Sequence, residues 1–231
     1  VTEPAVTTTS WRTATVRQVT RVGEHLVMLR LELPETAPSV QQLPGQHFVV
    51  RLTAPDGYTA SRSYSVSSSP GEALIELCVE RLDDGEVSGY LYDIVQPGDE
   101  IEVRGPIGGW FVWDGQTPAV AIGGGTGVVP LVAMARYADE LGTPELLRLA
   151  VSGRSAADLP YYDELLGRGA TVALTALTGR RLGATDLEPL LDGTDVAFIC
   201  GSARFAESMS QLLVSLNYPA SAIRIERFGP S

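Results

Sequence analysis

The spacing of apolar residues changes once along this chain, and that change restricts the folds open to it. Up to about Arg104, short alternating runs are broken every few positions by turn residues. Residues 13–19 and 26–33 flank Val22-Gly23-Glu24 as a hairpin. Pro44-Gly45-Gln46 leads into 47–52, and Asp56-Gly57 leads into 59–66. Residues 74–81 and 100–103 complete a set of six short strands, the pattern of a small antiparallel barrel. One stretch departs from it: residues 86–94 place Val87, Leu91 and Ile94 at helical spacing, just after Asp83-Asp84-Gly85.

Gly105-Pro106-Ile107-Gly108-Gly109 reads as the boundary, and Asp114 to Pro118 completes the linker. Beyond it, apolar strands at 119–122, 146–151, 171–177, 196–200 and 223–226 alternate with helical patterns at 128–141, 160–166, 185–191 and 203–216. Strands alternating with helices imply a five-stranded parallel sheet covered on both faces. The expected organisation is a disordered arm over residues 1–10, a β unit over 11–114 and an α/β unit over 115–231.

The formal net charge of −11 argues against nucleic acid or an anionic membrane as a general partner. The polar, Thr-rich start has no apolar core of signal-peptide length. Residues 118–135 are apolar but carry four glycines, and a span needs about 20 predominantly apolar residues, so no membrane segment is expected. A cytoplasmic protein is expected. Two cysteines, Cys78 and Cys200, and two histidines, His25 and His47, are too few for an iron–sulfur cluster or a structural zinc site. No metal site is expected, and if the protein moves electrons its cofactor is organic.

Two stretches carry the chemistry. Gly123-Gly124-Gly125-Thr126-Gly127-Val128-Val129-Pro130 follows a strand and opens a helix. Its glycines let the backbone approach a pyrophosphate, and the helix start offers unpaired amides; Pro130 is tolerated in a first helical turn. Alone, such a loop is equally a tight turn with no ligand. Cys200-Gly201 ends the fourth parallel strand, beside the first in a doubly wound sheet, so Gly125, Thr126, Gly127, Cys200 and Gly201 would share a switch-point crevice. Cys200 is otherwise a buried structural thiol. Ser152-Gly153-Arg154 ends the second strand, where Arg154 can meet a ribose 2′-phosphate, with Arg180 after the third strand as a second cation. Exposed loop arginines are the plainer explanation. No acidic residue stands there to favour NAD, so NADP is expected.

Arg62-Ser63-Tyr64-Ser65 puts a guanidinium and a ring on one face of an extended segment, with a hydroxyl after them. Arg62 suits a pyrophosphate, Tyr64 an aromatic ring and Ser65 that ring's polar edge, although any barrel strand can have a polar face. Gly85, Val87 and Ser88 open the helix inside the β unit and form a second candidate phosphate turn.

In this order and spacing, Arg62-x-Tyr64-Ser65, Gly85-x-x-Ser88, Gly105-Pro106-x-Gly108, the glycine loop, Cys200-Gly201 and Glu226-Arg227-Phe228 resemble the ferredoxin–NADP reductase superfamily, from Trp11 to Phe228. The resemblance implies a six-stranded Greek-key flavin barrel followed by a Rossmann-like nucleotide domain, with no iron–sulfur domain. It implies FAD, favoured over FMN by the second phosphate turn, and NADP, with NAD also possible. Arg62, Tyr64 and Ser65 take the flavin phosphate, ring and reactive edge, and Cys200 the nicotinamide. Trp110 and Phe111 flank the flavin or pack between domains. Three residues follow Phe228, so its role as a stacking terminal aromatic is open. The implied activity takes hydride from NADPH onto FAD and passes electrons to a separate ferredoxin, Rieske, haem or flavodoxin-type acceptor, in a monomer. The alternatives are a flavin-binding subunit or redox-sensing module active only in a complex, and a nucleotide-binding protein without flavin.

Overall fold

The computed structural model describes residues 10–34 and 42–228. All but the last residue of the arm expected over 1–10 lies outside the described residues. The chain divides into two compact units, Val1–Val112 and Trp113–Ser231.

The first unit runs β1 (Arg12–Val22), β2 (Leu26–Glu32), β3 (His47–Thr53), β4 (Thr59–Ser65), β5 (Ile75–Glu80), α1 (Glu86–Asp93) and β6 (Glu100–Ile107). Its antiparallel sheet has the order β4-β3-β6-β1-β2-β5. Val66 pairs with Leu77, and the Ser67 amide donates to the Glu76 carbonyl at 2.9 Å, bringing the two outer strands together at one end as a barrel. Period-two alternation turns Leu29, Leu31, Phe48, Val50, Leu77 and Val103 inward, where they are buried with Leu91 of α1.

One expectation fails here. Gly105-Pro106 is no linker: β6 continues to Ile107, and His47 pairs with that residue. Gly105 is required because a side chain there would collide with the Phe48 ring. Glycine and proline therefore mark close packing within a strand.

The second unit runs β7 (Ala119–Gly124), a 3-10 turn (Gly125–Val128), α2 (Val129–Leu141), β8 (Leu147–Gly153), α3 (Tyr162–Gly167), β9 (Thr171–Leu174), α4 (Thr175–Thr178), α5 (Ala184–Leu191), β10 (Val196–Ser202), α6 (Ala203–Ser215) and β11 (Ile223–Phe228). The parallel sheet has the order β11-β10-β7-β8-β9, which makes its first and fourth strands neighbours. Val120, Ile122, Ala150, Ala197 and Ile199 fill the core. Gly142, at φ 71°, ends α2 in the left-handed region.

The strand expected over 171–177 stops at Leu174. β9 is an outer strand, Leu177 is exposed, and the Ala176 amide turns instead to the Arg154 carbonyl at 2.8 Å. A helical turn, closed by Gly179 at φ 65°, replaces the last three residues.

Close backbone packing joins the glycine loop to β10. A Cβ on Gly127 would collide with the Cys200 carbonyl and with the Gly201 Cα. Gly127→Ala is therefore expected to lower unfolding free energy in urea by about 1–3 kcal/mol, the cost of overpacking. An unchanged midpoint would show that the loop moves aside freely.

Candidate functional site

In the first unit the site is built on β4. Pairing of Val50 with Arg62 and of Phe48 with Tyr64 puts both residues on the face that β3 turns to the core. β4 is an outer strand, so Arg62 reaches solvent; its Nη1 donates to the Ser61 carbonyl at 2.8 Å and has no acidic partner among the described residues. Tyr64 is half-buried. Burial pushes its phenol well up, against a smaller opposing effect of the Arg62 charge, so the ring stays neutral. Ser65 is buried, and among the described residues its Oγ has no hydrogen-bond partner. An orphaned buried hydroxyl costs about 1–3 kcal/mol, and a polar ring edge beside Tyr64 would satisfy it.

At α1, Gly85 is the N-cap and supplies no side-chain cap. Val87 and Ser88 are buried. The Ser88 hydroxyl accepts from the Leu82 amide at 3.2 Å and lies 3.4 Å from the Gly85 carbonyl. That hydroxyl is committed to its own turn, so the anion donors here are the first-turn amides, which have no intrahelical partner. A cationic Arg62, a neutral ring, an orphan hydroxyl and a helix start together fit the phosphate and ring of a flavin nucleotide.

In the second unit, Gly125 sits at φ 57°, with open space where a side chain would project. Thr126 is half-buried beside it. Cys200 pairs in register with Gly123 on one side and Glu226 on the other, and it is fully buried. Burial pushes its thiol far up, with the Glu226 charge adding to the effect and the Gly201 amide opposing it. A protonated, enclosed thiol is a packing group and no nucleophile. Phe228 ends β11 and pairs with Ser202 at the same edge.

Ser152 lies buried at the end of β8. The Arg154 side chain is 77% exposed, with Nε 3.5 Å from Asp158 Oδ2. The Ala176–Arg154 backbone bond brings the segment carrying Arg180 to the same edge of the sheet. Arg180, however, pairs with Asp186, which also accepts from the Gly183 amide at 2.8 Å. Arg181 is exposed and has no acidic partner among the described residues. His25 is exposed, and burial lowers His47. Trp110 is exposed and Phe111 buried.

Glu226 has a property that sequence reasoning missed. It was legible only as part of a terminal motif, yet burial pushes its carboxyl up to about 7. Burial on an outer parallel strand has no local signal.

A barrel edge that offers a cation, a neutral ring and an orphan hydroxyl, followed by a parallel sheet with a bare glycine loop, suits a flavin and a nucleotide. Residues 13–112 match the oxidoreductase FAD-binding domain family. The chain is 29% identical to a flavohemoprotein of Rhizobium meliloti, over 95% of this chain and 61% of that protein. It is 28% identical to the ferredoxin–NAD(P)+ reductase component of the naphthalene 1,2-dioxygenase/salicylate 5-hydroxylase systems of a Ralstonia species, over 94% of this chain and 69% of that one. A ferredoxin NADP+ reductase from Neisseria gonorrhoeae shares the fold at a TM-score of 0.79 and 18% identity, covering 94% of this chain and 98% of that one. The chain is thus similar to reductase components of this kind and shares the fold of ferredoxin–NADP reductases. It spans less than two thirds of the length of the first curated relatives it matches.

The raised Glu226 carboxyl makes stability depend on pH. The fold favours its neutral form, so no cost arises below the ordinary carboxylate value, and the cost grows as pH rises from there towards 7. The stability of Glu226→Gln relative to wild type is expected to rise by roughly 1–3 kcal/mol across that window in urea unfolding. A gap independent of pH would contradict the buried assignment.

Proposed function

We propose that this chain is an NAD(P)H-dependent flavoprotein reductase that uses FAD and hands electrons to a separate acceptor such as a ferredoxin. The observation that carries the reading is the buried, unpartnered Ser65 hydroxyl, next to Tyr64 and three residues from a cation with no acidic partner among the described residues. Bound flavin supplies the conversion of a two-electron hydride into single electrons. The chain supplies position. Arg62 and the turn of Gly85, Val87 and Ser88 hold the phosphates, Tyr64 packs on the ring and Ser65 bonds its edge. Residues 11–114 carry this role, and 115–231 bind the nicotinamide nucleotide.

There, Gly125, Thr126, Gly127 and Gly201 admit the pyrophosphate. Ser152 and Arg154 take the adenosine end, with Arg180 available only by exchanging Asp186 for phosphate. Cys200 packs beneath the nicotinamide, and Phe228 lies at the same strand edge. Holding two reacting rings together contributes about 7–11 kcal/mol without an acid or base. The acceptor is of ferredoxin, Rieske, haem or flavodoxin type, in keeping with the Ralstonia relative, whose name describes a ferredoxin reductase component. No helix among the described residues is long and apolar enough to cross a membrane. We place the protein in the cytoplasm as a monomer.

The limited coverage of its relatives' length favours a second reading, a flavin-binding module active only within a larger protein or complex. A diaphorase assay on the isolated chain separates the two, since only a stand-alone reductase turns over with an artificial acceptor. For the first reading, Arg62→Ala is expected to weaken FAD binding by roughly 1.5–3 kcal/mol in fluorescence titration, the scale of a charge-assisted bond. Wild-type protein that takes up no flavin would end it. Arg154→Ala is expected to raise the apparent constant for NADPH well above its effect on NADH, since only NADPH carries the extra phosphate. Equal effects would make Arg154 a bystander.

A further inference from the structure

Tyr58 stands at the entrance to β4, and no part of the reading above uses it. The residue is 58% exposed, yet it is pinned at three points. Its amide donates to Asp56 Oδ1 at 3.0 Å, its carbonyl accepts from the Ala54 amide at 2.8 Å, and its hydroxyl donates to Glu86 Oε2 at 2.9 Å. The hydrogen bond to Glu86 keeps the phenol protonated, and Arg62 is near enough for its charge to oppose that effect. An exposed aromatic residue held in this way has already lost the freedom that stacking would otherwise remove.

The placement of the ring is as informative as its rigidity. The Ala54–Tyr58 bond continues the β3–β4 ladder one step beyond the Thr53–Thr59 pair, so Tyr58 shares a face with Arg62 and Tyr64. Along the strand, Arg62 lies about 7 Å from Tyr64 and about 13 Å from Tyr58. The order is ring, cation, ring. Glu86, which anchors the second ring, is the first residue of α1, whose opening amides are the other anion donors. An aromatic system, a pyrophosphate and a second aromatic system joined in line would meet these groups in the same order.

We propose that Tyr58 is the platform for the adenine of FAD, and that Tyr58 anchored by Glu86 selects the dinucleotide over FMN. The proposal rests on the flavin reading of β4 and goes beyond it by assigning the half of the cofactor that carries no redox chemistry. Stacking on a fixed ring accepts a purine without base-specific hydrogen bonds. FMN lacks that half, so it gains nothing from Tyr58.

The test is titration of the full-length apoprotein with FAD and with FMN, following flavin fluorescence. Wild type is expected to bind FAD more tightly than FMN. Tyr58→Ala is expected to raise the FAD dissociation constant about tenfold or more while leaving that for FMN within about twofold. Tyr58→Phe keeps the ring and is expected to retain most of the preference. Thermal unfolding of the apo variants checks that the fold is intact, which the exposure of Tyr58 favours. An unchanged FAD affinity in Tyr58→Ala, or an equal loss for both flavins, overturns the platform and leaves the flavin site standing. Wild type that binds neither flavin removes the flavin site itself, and the platform with it.

Discussion

The register between β3 and β4 decides what the first unit can bind. With Phe48 opposite Tyr64 and Val50 opposite Arg62, the ring and the guanidinium face the side that β3 fills with core. A slip of one residue would send both to the opposite face and bring Ser61 and Ser63 in their place. The slip is opposed by burial of Phe48 and Val50 and by closure of the barrel at Val66 and Leu77. Hydrophobic burial in the barrel thereby holds a polar, partly unsatisfied strip at its open edge. Ser65 is the local cost, a buried hydroxyl left for a ligand to satisfy.

The second unit solves a related problem with backbone alone. Its sheet order places β7 against β10, so the strand ends carrying the glycine loop and Cys200-Gly201 adjoin. Side chains would prevent that approach: Gly127 lies against the Cys200 carbonyl, and Gly124 lies against the Phe205 ring. Gly125 differs, because its left-handed backbone faces open space that a nucleotide phosphate can enter. One glycine serves packing and its neighbour serves approach, although both read alike in the sequence.

Features set by local periodicity were legible beforehand. The alternation along β4, the helical spacing of α1 and the strand–loop–helix context of the glycine loop all follow from residues close in sequence. Features set by distant neighbours were not. Gly105-Pro106 looked like punctuation until Phe48 packed against it, and residues 175–177 looked like strand until β9 proved to lie at the sheet's edge. The same limit applies to charge. Arg180 reads as a phosphate ligand in the sequence, yet Asp186 holds it, and Ser88 reads as part of a phosphate turn, yet its hydroxyl closes that turn. The pinned ring of Tyr58 and the raised carboxyl of Glu226 depend on contacts no short window contains.

The central claim is that a flavin held by the first unit accepts hydride from a nucleotide held by the second. Its most direct test is anaerobic mixing of the FAD-loaded chain with NADPH, without any electron acceptor, while following the visible flavin absorbance. The account predicts rapid, stoichiometric bleaching and recovery of the oxidised spectrum when an acceptor is admitted. Flavin that stays oxidised in the presence of excess NADPH and of excess NADH would contradict it.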